Sequence, residues 1–372
     1  MYADHLLQPW FDQVLARTPG VELFDCHNHV GENDPSGFSA TLTELETSLA
    51  RTGGRGVVMP AAEPDGYARA NATCAEAARR NPALVAFTRV VPAQEPASML
   101  AEGLAHGARG VKLHPASDDF SLEDPRLEGV LARADRDRLP VLVHAGPELE
   151  GVGGPVLRLC ERYAGARFVL AHCGLTDLGW IWKQVPQHPN LFFDTAWWTP
   201  AHLMALFRLV PPGRVLLGSD LPYATPLSGA LLGLRCAWQA GLDESQVRSV
   251  AGGQLKRLVE NDEPLDLGPP PTREPRPPGP LLEVVSSNLL AALEPLQRGE
   301  DPGIPLTVAR RGCKVDPDVE DAEVFTSVQR LLDQYEEHRD TLPHRNQFSP
   351  GRDLVAAAAV IARTPAVQPG PM

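Results

Sequence analysis

Histidine and aspartate residues whose side chains bind divalent metals occur at the ends of several short apolar runs. His27 and His29 stand two residues apart, a spacing that puts both side chains on the same face of a strand. His144, His172 and Asp220 are far apart in the sequence. Imidazole nitrogen and carboxylate oxygen are ligands that suit a divalent ion such as zinc. These residue types therefore predict a metal site, provided that the fold brings the five groups together.

The apolar runs are β-rich and alternate with helical segments between residues 21 and 220. There are eight of them: VELFDCHNHV, RGVVMPA, LVAFTRVVP, GVKLHP, PVLVHAG, RFVLAHCG, NLFFDTAWW and RVLLGSD. Strand–helix alternation is typical of a parallel sheet, and eight such units favour closure into a barrel. In a (β/α)₈, or TIM, barrel the carboxyl ends of the strands meet at one mouth, where active sites lie. We therefore predict an α/β fold of this type with all five groups at that mouth.

Composition divides the chain into four parts. We expect an N-terminal helix over residues 1–20, the barrel over 21–262, a proline-rich linker over 263–280 and a helical C-terminal appendage over 281–372. The linker has too much proline for a helix or a central strand. In the appendage, LLEVVSSNLLAALEPLQ, VEDAEVFTSVQRLLDQYEEHR and RDLVAAAAVIART have helical patterns. We expect three helices that pack on the barrel or on a second subunit.

Charge and cysteine content exclude several classes of protein. The formal net charge of −13 argues against a general nucleic-acid-binding protein, which needs a basic surface. No apolar run approaches the roughly 20 residues that span a bilayer, and we find no signal-peptide pattern. Six cysteines without paired spacing are typical of reduced thiols. We expect a cytoplasmic protein that acts on a small molecule and binds neither nucleic acid nor membranes. The extra helices leave a homo-oligomer open.

Four of the motifs, in their order along the chain, carry a family resemblance. DCHNHV, PVLVHAG, VLAHCG and LLGSDLPY resemble the amidohydrolase-2 branch of the amidohydrolase superfamily. This branch includes hydrolases, lactonases and non-oxidative decarboxylases related to aminocarboxymuconate-semialdehyde decarboxylase. The resemblance covers about residues 21–260 and leaves the C-terminal third outside. It implies a distorted (β/α)₈ barrel with one catalytic divalent ion, usually zinc.

The resemblance also separates metal ligands from catalytic groups, which spacing alone does not do. It implies that the ligands are His27, His29, His144 and Asp220. His172 then lies beside the metal and polarises the substrate or moves a proton. Asp220 has a second role as the group that carries the proton.

The fourth predicted strand, GVKLHP, carries Lys112 and His114 on its inward face. Lys112 has three interpretations: a cation for an anionic substrate, a lysine paired with a buried carboxylate, or a bridge between two ions. The third follows from the resemblance, because binuclear members of the superfamily carry a carboxylated lysine on this strand. His172 would then bind the second ion. We expect Lys112 and His114 to contact the substrate.

Two further residues are candidates for substrate binding. Arg89, near the end of the third predicted strand, could hold a substrate carboxylate through two hydrogen bonds. The alternative is a salt bridge at the barrel rim. Trp198 shares strand parity with Asp194, and we expect it in the pocket wall, with core packing as the alternative.

These observations lead to three functional hypotheses. The first is a hydrolase that uses a metal-activated water on a C–O or C–N bond of a small anionic ester, lactone or amide. The second is a metal-dependent non-oxidative decarboxylase of an unsaturated or aromatic carboxylic acid. The third is a barrel that has lost catalysis and acts as a binding protein. Product analysis separates the first two, since only the decarboxylase releases carbon dioxide.

Overall fold

In the computed structural model, which describes residues 3–344 and 346–367, every strand runs parallel to its neighbours around a barrel. The strands are β1 (Phe24–Asp25), β2 (His29–Val30), β3 (Arg55–Pro60), β4 (Leu84–Arg89), β5 (Gly110–Leu113), β6 (Pro140–Val143), β7 (Arg167–Leu170), β8 (Leu191–Asp194) and β9 (Val215–Leu216). Hydrogen-bonded neighbours follow the order β1, β3, β4, β5, β6, β7, β8, β9, and β2 also pairs with β3. The predicted barrel is therefore confirmed, with β1 and β2 together occupying its first position.

The first predicted strand is interrupted by a bulge. Asp25 pairs with Gly56, whereas His29 pairs with Met59, so three residues of the first run lie opposite two residues of β3. One extra residue is a β-bulge, a feature that bends a strand and redirects its side chains. The carboxylate of Asp25 accepts a hydrogen bond from the His27 N–H at 2.9 Å and fixes this bend. Apolar composition predicted a continuous strand because it carries no information on register.

The barrel closes through the residues that follow β9. The Cys26 N–H donates to the Leu217 carbonyl oxygen at 2.8 Å. The N–H of Asp220 donates to the carbonyl oxygen of His27 at 2.8 Å, and the His29 N–H donates to Leu221 at 2.7 Å. Closure therefore places the segment that carries Asp220 directly against the segment that carries the two histidines.

Helices surround the barrel. They are α1 (Asp4–Ala16), α2 (Leu42–Thr52), α3 (Ala68–Arg80), α4 (Pro96–Ala105), α5 (Glu128–Asp137), α6 (Gly153–Arg162), α7 (Leu178–Ile181), α8 (Pro200–Leu209), α9 (Pro226–Ala240), α10 (Glu244–Arg248) and α11 (Gln254–Glu260). Helix α9 begins just after the Asp220 segment, where the Thr225 hydroxyl accepts from the Ser228 N–H and Pro226 occupies the first turn. Proline and a hydroxyl cap are favoured at this end of a helix because its first N–H groups have no partner within the helix.

Apolar side chains fill the barrel interior below the mouth. The cluster takes alternate residues of the strands, such as Val57 and Met59 of β3, because successive side chains on a strand point to opposite faces. Leu255 and Leu258 of α11 belong to the same cluster. The Leu258 carbonyl accepts from Arg167 at the start of β7 at 2.8 Å, so α11 closes the amino-terminal end. The carboxyl-terminal mouth is therefore the end of the barrel that stays open.

The described part of the C-terminal region contains four helices, one more than predicted. After an irregular segment they are α12 (Pro280–Leu296), α13 (Gly303–Gly312), α14 (Ala322–His338) and α15 (Arg352–Arg363). The unpredicted α13 contains Pro305 and is bounded by glycines, residues that disfavour helix interiors. Helix α15 packs against α9 of the barrel and against α12 and α14, so the region lies on the barrel. None of the helices in the described ranges is long and apolar enough to cross a membrane.

Candidate metal centre and active site

The five predicted metal-binding groups lie at the carboxyl-terminal mouth of the barrel. His144 follows β6 and His172 follows β7. Three ligand atoms form a triangle at the point of closure. The Nε2 atom of His27 lies 3.1 Å from His29 Nε2 and 3.2 Å from Asp220 Oδ1, and the third side measures 3.6 Å. The fold therefore gathers these groups as the sequence predicts.

Oxygen acceptors beside the Nδ1 atoms of His27 and His29, the nitrogens that point away from the metal centre, fix the tautomers of both rings. His27 Nδ1 lies 2.8 Å from Asp194 Oδ2, and His29 Nδ1 lies 2.9 Å from the Pro60 carbonyl oxygen. Carboxylate and carbonyl oxygens only accept, so both Nδ1 atoms carry the proton and both Nε2 atoms present lone pairs. Two lone pairs 3.1 Å apart repel each other unless a cation lies beside them. The two nitrogens therefore offer adjacent donor atoms to a cation.

His144 and His172 repeat this arrangement on the other side of the mouth. His172 Nδ1 lies 2.9 Å from the Ala196 carbonyl oxygen, and His144 Nε2 contacts the Glu148 carboxylate. The inner nitrogens, His144 Nδ1 and His172 Nε2, lie 3.0 Å apart. Because both outer nitrogens face acceptors, the inner ones present lone pairs. Asp220 connects the two halves, since its Oδ2 lies 3.9 Å from His172 Nδ1.

The described donors fit a divalent ion. Ligands held tetrahedrally at about 2.0–2.2 Å from zinc lie about 3.3–3.6 Å from one another. The three distances among His27, His29 and Asp220 are 3.1, 3.2 and 3.6 Å, close to that spacing. Ligand atoms of His27, His172 and Asp220 also lie within 4.8 Å of one another. That His144 binds the same ion stays a prediction.

Burial favours the neutral form of the histidines. It lowers the pKa of His27 and His29 well below the usual value, and the charge of Lys112 adds to the shift. It lowers the pKa of His172 to about 3. Neutral imidazole is the form that binds metals. Burial raises the pKa of Asp220, and the charge of Lys112 opposes that shift.

Lys112 of β5 lies inside the metal centre. Its Nζ is 3.0 Å from His27 Nε2, and the residue is fully buried. Burial lowers its pKa to about 8, and the charge of Asp220 opposes that change. An uncharged or carboxylated amine is compatible with a cation beside His27, whereas an ammonium group repels one. All three interpretations of Lys112 stay predictions.

Arg89 is held by a buried ion pair. Its Nε and Nη2 donate to the two carboxylate oxygens of Asp118 at 3.0 and 2.9 Å, and Nη2 also donates to Ser117 Oγ at 3.0 Å. The guanidinium lies 4.7 Å from the centre of the Tyr67 ring. The salt bridge at the rim, which the sequence left as the alternative, is present. Arg89 also borders the cavity described below, so a direct contact with substrate stays a prediction.

His114 and Trp198 both line this cavity. The His114 ring stacks on His144 with 3.8 Å between centroids, and Trp198 stacks on Trp197 at 3.9 Å. Trp197 in turn lies 6.0 Å from the His172 ring. Two aromatic groups therefore extend from the metal centre into the cavity wall, and their contact with substrate stays a prediction.

Two acidic residues of the site were missing from the predicted set. Asp194, the last residue of β8, holds His27 through Oδ2 and accepts from the backbone N–H of His172 at 2.7 Å through Oδ1. The sequence did offer one indication of this role, because Asp194 stands at the end of a predicted strand as the histidines do. Glu148 contacts His144 and stands four residues after it, and in a loop this spacing predicts no contact.

A cavity of about 670 Å³ opens from the metal centre. Barrel residues form one side of it, including Tyr67, Trp197, Trp198 and Tyr223. Residues of the C-terminal region form another part of the wall, including Phe348, Arg352 and Ala356. The sequence did not predict that the C-terminal region reaches the site.

Comparison with known proteins identifies the family. Residues 24–253 match the family model described as Amidohydrolase, which is more than half of the chain. The chain therefore belongs to the amidohydrolase family of metal-dependent enzymes and is itself an enzyme of this class. A search of curated protein sequences finds no match.

Solved structures of similar fold cover about two thirds of this chain. The 2,6-dihydroxybenzoate decarboxylase from Rhizobium has a TM-score of 0.53 and 13% identity, with 65% of this chain and 99% of that chain covered. An uncharacterised TIM-barrel protein from Bordetella bronchiseptica has a TM-score of 0.52 and 16% identity, with 64% and 99% covered. At these identities the similarity shows the fold, and about a third of this chain has no counterpart in either structure.

Proposed function

We propose that the chain is a zinc-dependent hydrolase that cleaves a C–O or C–N bond in a small anionic molecule, such as an ester, a lactone or an amide. One observation carries the proposal: His27 Nε2 and His29 Nε2 present lone pairs 3.1 Å apart, and Asp220 Oδ1 lies beside them. Two imidazoles with a carboxylate are a donor set that suits zinc. A site that keeps one position open for water is typical of catalytic zinc.

His27, His29 and Asp220 would hold the ion, and His144 would complete the set. When bound, the ion acts as a Lewis acid that lowers the pKa of water and polarises the bond to be cleaved. Asp194 holds the His27 ring at 2.8 Å and keeps its tautomer fixed. Such a partner orients a ligand ring and increases its basicity.

Asp220 and His172 would move the protons. Asp220 Oδ1 faces His27, whereas Oδ2 faces His172, so Oδ2 is the oxygen left to accept a proton from the attacking water. His172 donates through Nδ1 to the Ala196 carbonyl. Its Nε2 therefore keeps a lone pair that accepts a hydrogen bond from water or substrate. Proton transfer by positioned groups of this kind is general acid–base catalysis.

A metal-dependent decarboxylase of an unsaturated or aromatic carboxylic acid is the second candidate. The stacked Trp197 and Trp198 favour it, because they give the cavity a wall suited to an aromatic ring. One protein of similar fold is a 2,6-dihydroxybenzoate decarboxylase. The same ligands and proton carriers serve both reactions, so products must decide between them.

The deciding experiment is product analysis with the metal-loaded protein. We would supply aryl esters, lactones and N-acyl amino acids in one panel and hydroxybenzoates in another, with and without a chelator, in ¹⁸O-labelled water. Hydrolysis predicts a new carboxylate that carries ¹⁸O together with an alcohol or amine. Release of carbon dioxide from the second panel, with no turnover of the first, would replace the hydrolase by the decarboxylase.

The metal count and the cellular setting complete the proposal. One zinc ion is the simplest occupant, and a second ion bound by His172 joins it if Lys112 is carboxylated. The six cysteines are all buried and unpaired, which supports a reducing compartment such as the cytoplasm. A small molecule remains the expected partner, rather than nucleic acid or a membrane, and self-association through the C-terminal helices remains a prediction.

A further inference from the structure

The C-terminal region supplies a wall of the cavity that the barrel alone does not provide. Phe348, Arg352, Asp353 and Ala356 all line the cavity. They lie about a hundred residues beyond the end of the family match at residue 253. Helix α15, which carries three of them, is buried from Arg352 to Ala362, so this wall is a fixed part of the fold.

Arg352 joins this wall to the barrel. The residue is 3% exposed, and its Nη1 donates to the Tyr223 carbonyl oxygen at 2.8 Å. Its guanidinium lies 4.5 Å from the centre of the Phe348 ring and 5.2 Å from that of Trp198. Trp198 stacks on Trp197, which approaches His172. A series of ring contacts therefore leads from His172 through the two tryptophans to Arg352 in the C-terminal wall.

Charge is unevenly distributed around the cavity. Away from the metal centre, the partly exposed carboxylates of Asp34 and Glu63 contribute to its lining, and the exposed Glu148 carboxylate contacts His144 at the edge of that centre. The two arginines in the lining already face carboxylates, Arg89 with Asp118 and Arg352 with Asp353. A second anionic group on a ligand would meet an excess of negative charge in this part of the cavity. A neutral, apolar group would meet aromatic rings and the methyl group of Ala356 instead.

We propose that the substrate carries a single anionic end at the metal centre and a bulky apolar body that rests against the C-terminal wall. This inference rests on the proposed function for the placement of the reacting end. The volume of about 670 Å³ supports it, because apolar pockets of this size bind ligands much larger than a simple short-chain acid. Phe348 and Trp198 are thus specificity-determining residues, one from the C-terminal region and one from the barrel.

Binding of three simple acids to the metal-loaded protein tests the inference. The probes are acetate, 3-phenylpropanoate and 3-(4-carboxyphenyl)propanoate, each titrated by isothermal calorimetry. We expect 3-phenylpropanoate to bind at least tenfold more tightly than acetate, because its ring loses contact with water. We expect the dicarboxylate, which has the same body with a second charge, to bind at least tenfold more weakly than 3-phenylpropanoate.

Variants assign this preference to the C-terminal wall. Phe348→Ala removes a half-buried ring and should reduce the ratio of 3-phenylpropanoate to acetate affinity by at least threefold. Trp198→Ala should do the same from the barrel side, which covers the case in which one variant folds poorly. Trp182→Ala is the matched control, since this half-buried tryptophan does not line the cavity and should leave the ratio unchanged.

The outcome is independent of the assay for hydrolysis. Equal affinity for acetate and 3-phenylpropanoate, no saturable binding of either acid, or tighter binding of the dicarboxylate would each overturn the inference. So would an unchanged ratio in both Phe348→Ala and Trp198→Ala. A clear preference for the phenyl acid without turnover of any ester, lactone or amide would leave the inference standing and remove the hydrolase.

Discussion

Asp194 Oδ2 lies 2.8 Å from His27 Nδ1, and both residues are fully buried. This carboxylate determines which nitrogen of His27 faces the metal centre. Asp194→Asn keeps the shape of the side chain, but its amide no longer stabilises the protonated Nδ1 in the same way. We expect metal affinity to fall by roughly 10- to 100-fold, the usual effect of losing such a partner.

Competition with a chromophoric chelator measures this affinity. Asp177→Asn is a suitable control, because Asp177 is also a buried carboxylate that accepts backbone hydrogen bonds but lies outside the metal centre. An Asp194→Asn protein that binds metal within twofold of the wild type would show that Asp194 has no role in orienting His27.

His172 should affect turnover more than metal binding. With one ion bound, its Nε2 accepts a proton, so His172→Gln should retain about one ion and lose roughly 10²- to 10⁴-fold in kcat. Metal analysis and steady-state kinetics on the same preparation separate the two effects. Loss of the ion in this variant would make His172 a ligand, as its distance to His27 and Asp220 permits.

Arg89 should affect stability through its ion pair. Arg89→Met leaves the Asp118 carboxylate without its bidentate partner, and both side chains are almost completely buried. Removing one member of a buried pair costs about 3–5 kcal/mol. The double variant Arg89→Met/Asp118→Asn should recover part of this loss. Denaturant unfolding measures both. A loss below about 1 kcal/mol in the single variant would show that the ion pair contributes little to stability, and substrate binding would be the remaining role of Arg89.

Sequence patterns predicted the barrel and the five groups because both depend on short-range regularities. Apolar runs mark strands, and a strand end fixes which mouth a residue reaches. The bulge between Asp25 and His29 was not predictable, since register depends on pairing with β3. The contact between Asp194 and His27 joins residues 167 positions apart, and nothing local to either residue indicates it.

The C-terminal wall was still harder to predict from the sequence, because it too depends on contacts between distant parts of the chain. Helix α15 was predicted from its pattern, RDLVAAAAVIART. Its approach to the cavity depends on packing against α9, which lies more than a hundred residues earlier. Amphipathic pattern indicates that a helix has a buried face but not what covers that face. For this reason Arg352 and Phe348 were absent from the predicted site.

Asp4 gives a prediction about stability and pH. It is buried in α1, where it accepts hydrogen bonds from Thr225 at 2.6 Å and Ser48 at 2.8 Å. Burial raises its pKa from 3.8 to about 6, despite those hydrogen bonds. The folded state therefore binds this proton more tightly than the unfolded state. The resulting stabilisation is present below pH 4 and is lost as pH rises through about 6.

Asp4→Asn, which cannot ionise, should accordingly stabilise the protein at pH 8 by about 1–3 kcal/mol and have little effect at pH 4. Thermal or urea unfolding at the two pH values measures this, with the exposed Asp12→Asn as control. A variant that is less stable than the wild type at pH 8 would show that the hydrogen bonds of the carboxylate outweigh its burial.

The central claim is that His27, His29 and Asp220 bind a divalent ion, and metal titration tests it most directly. The chelated protein would be titrated with Zn²⁺ and its bound metal measured by elemental analysis, beside His27→Ala/His29→Ala and the control His202→Ala, a partly buried histidine that does not line the cavity. We expect saturable binding of about one equivalent in the wild type and the control, and loss of that ion in the double variant. No saturable binding in the wild type, or binding unchanged in His27→Ala/His29→Ala, would contradict it.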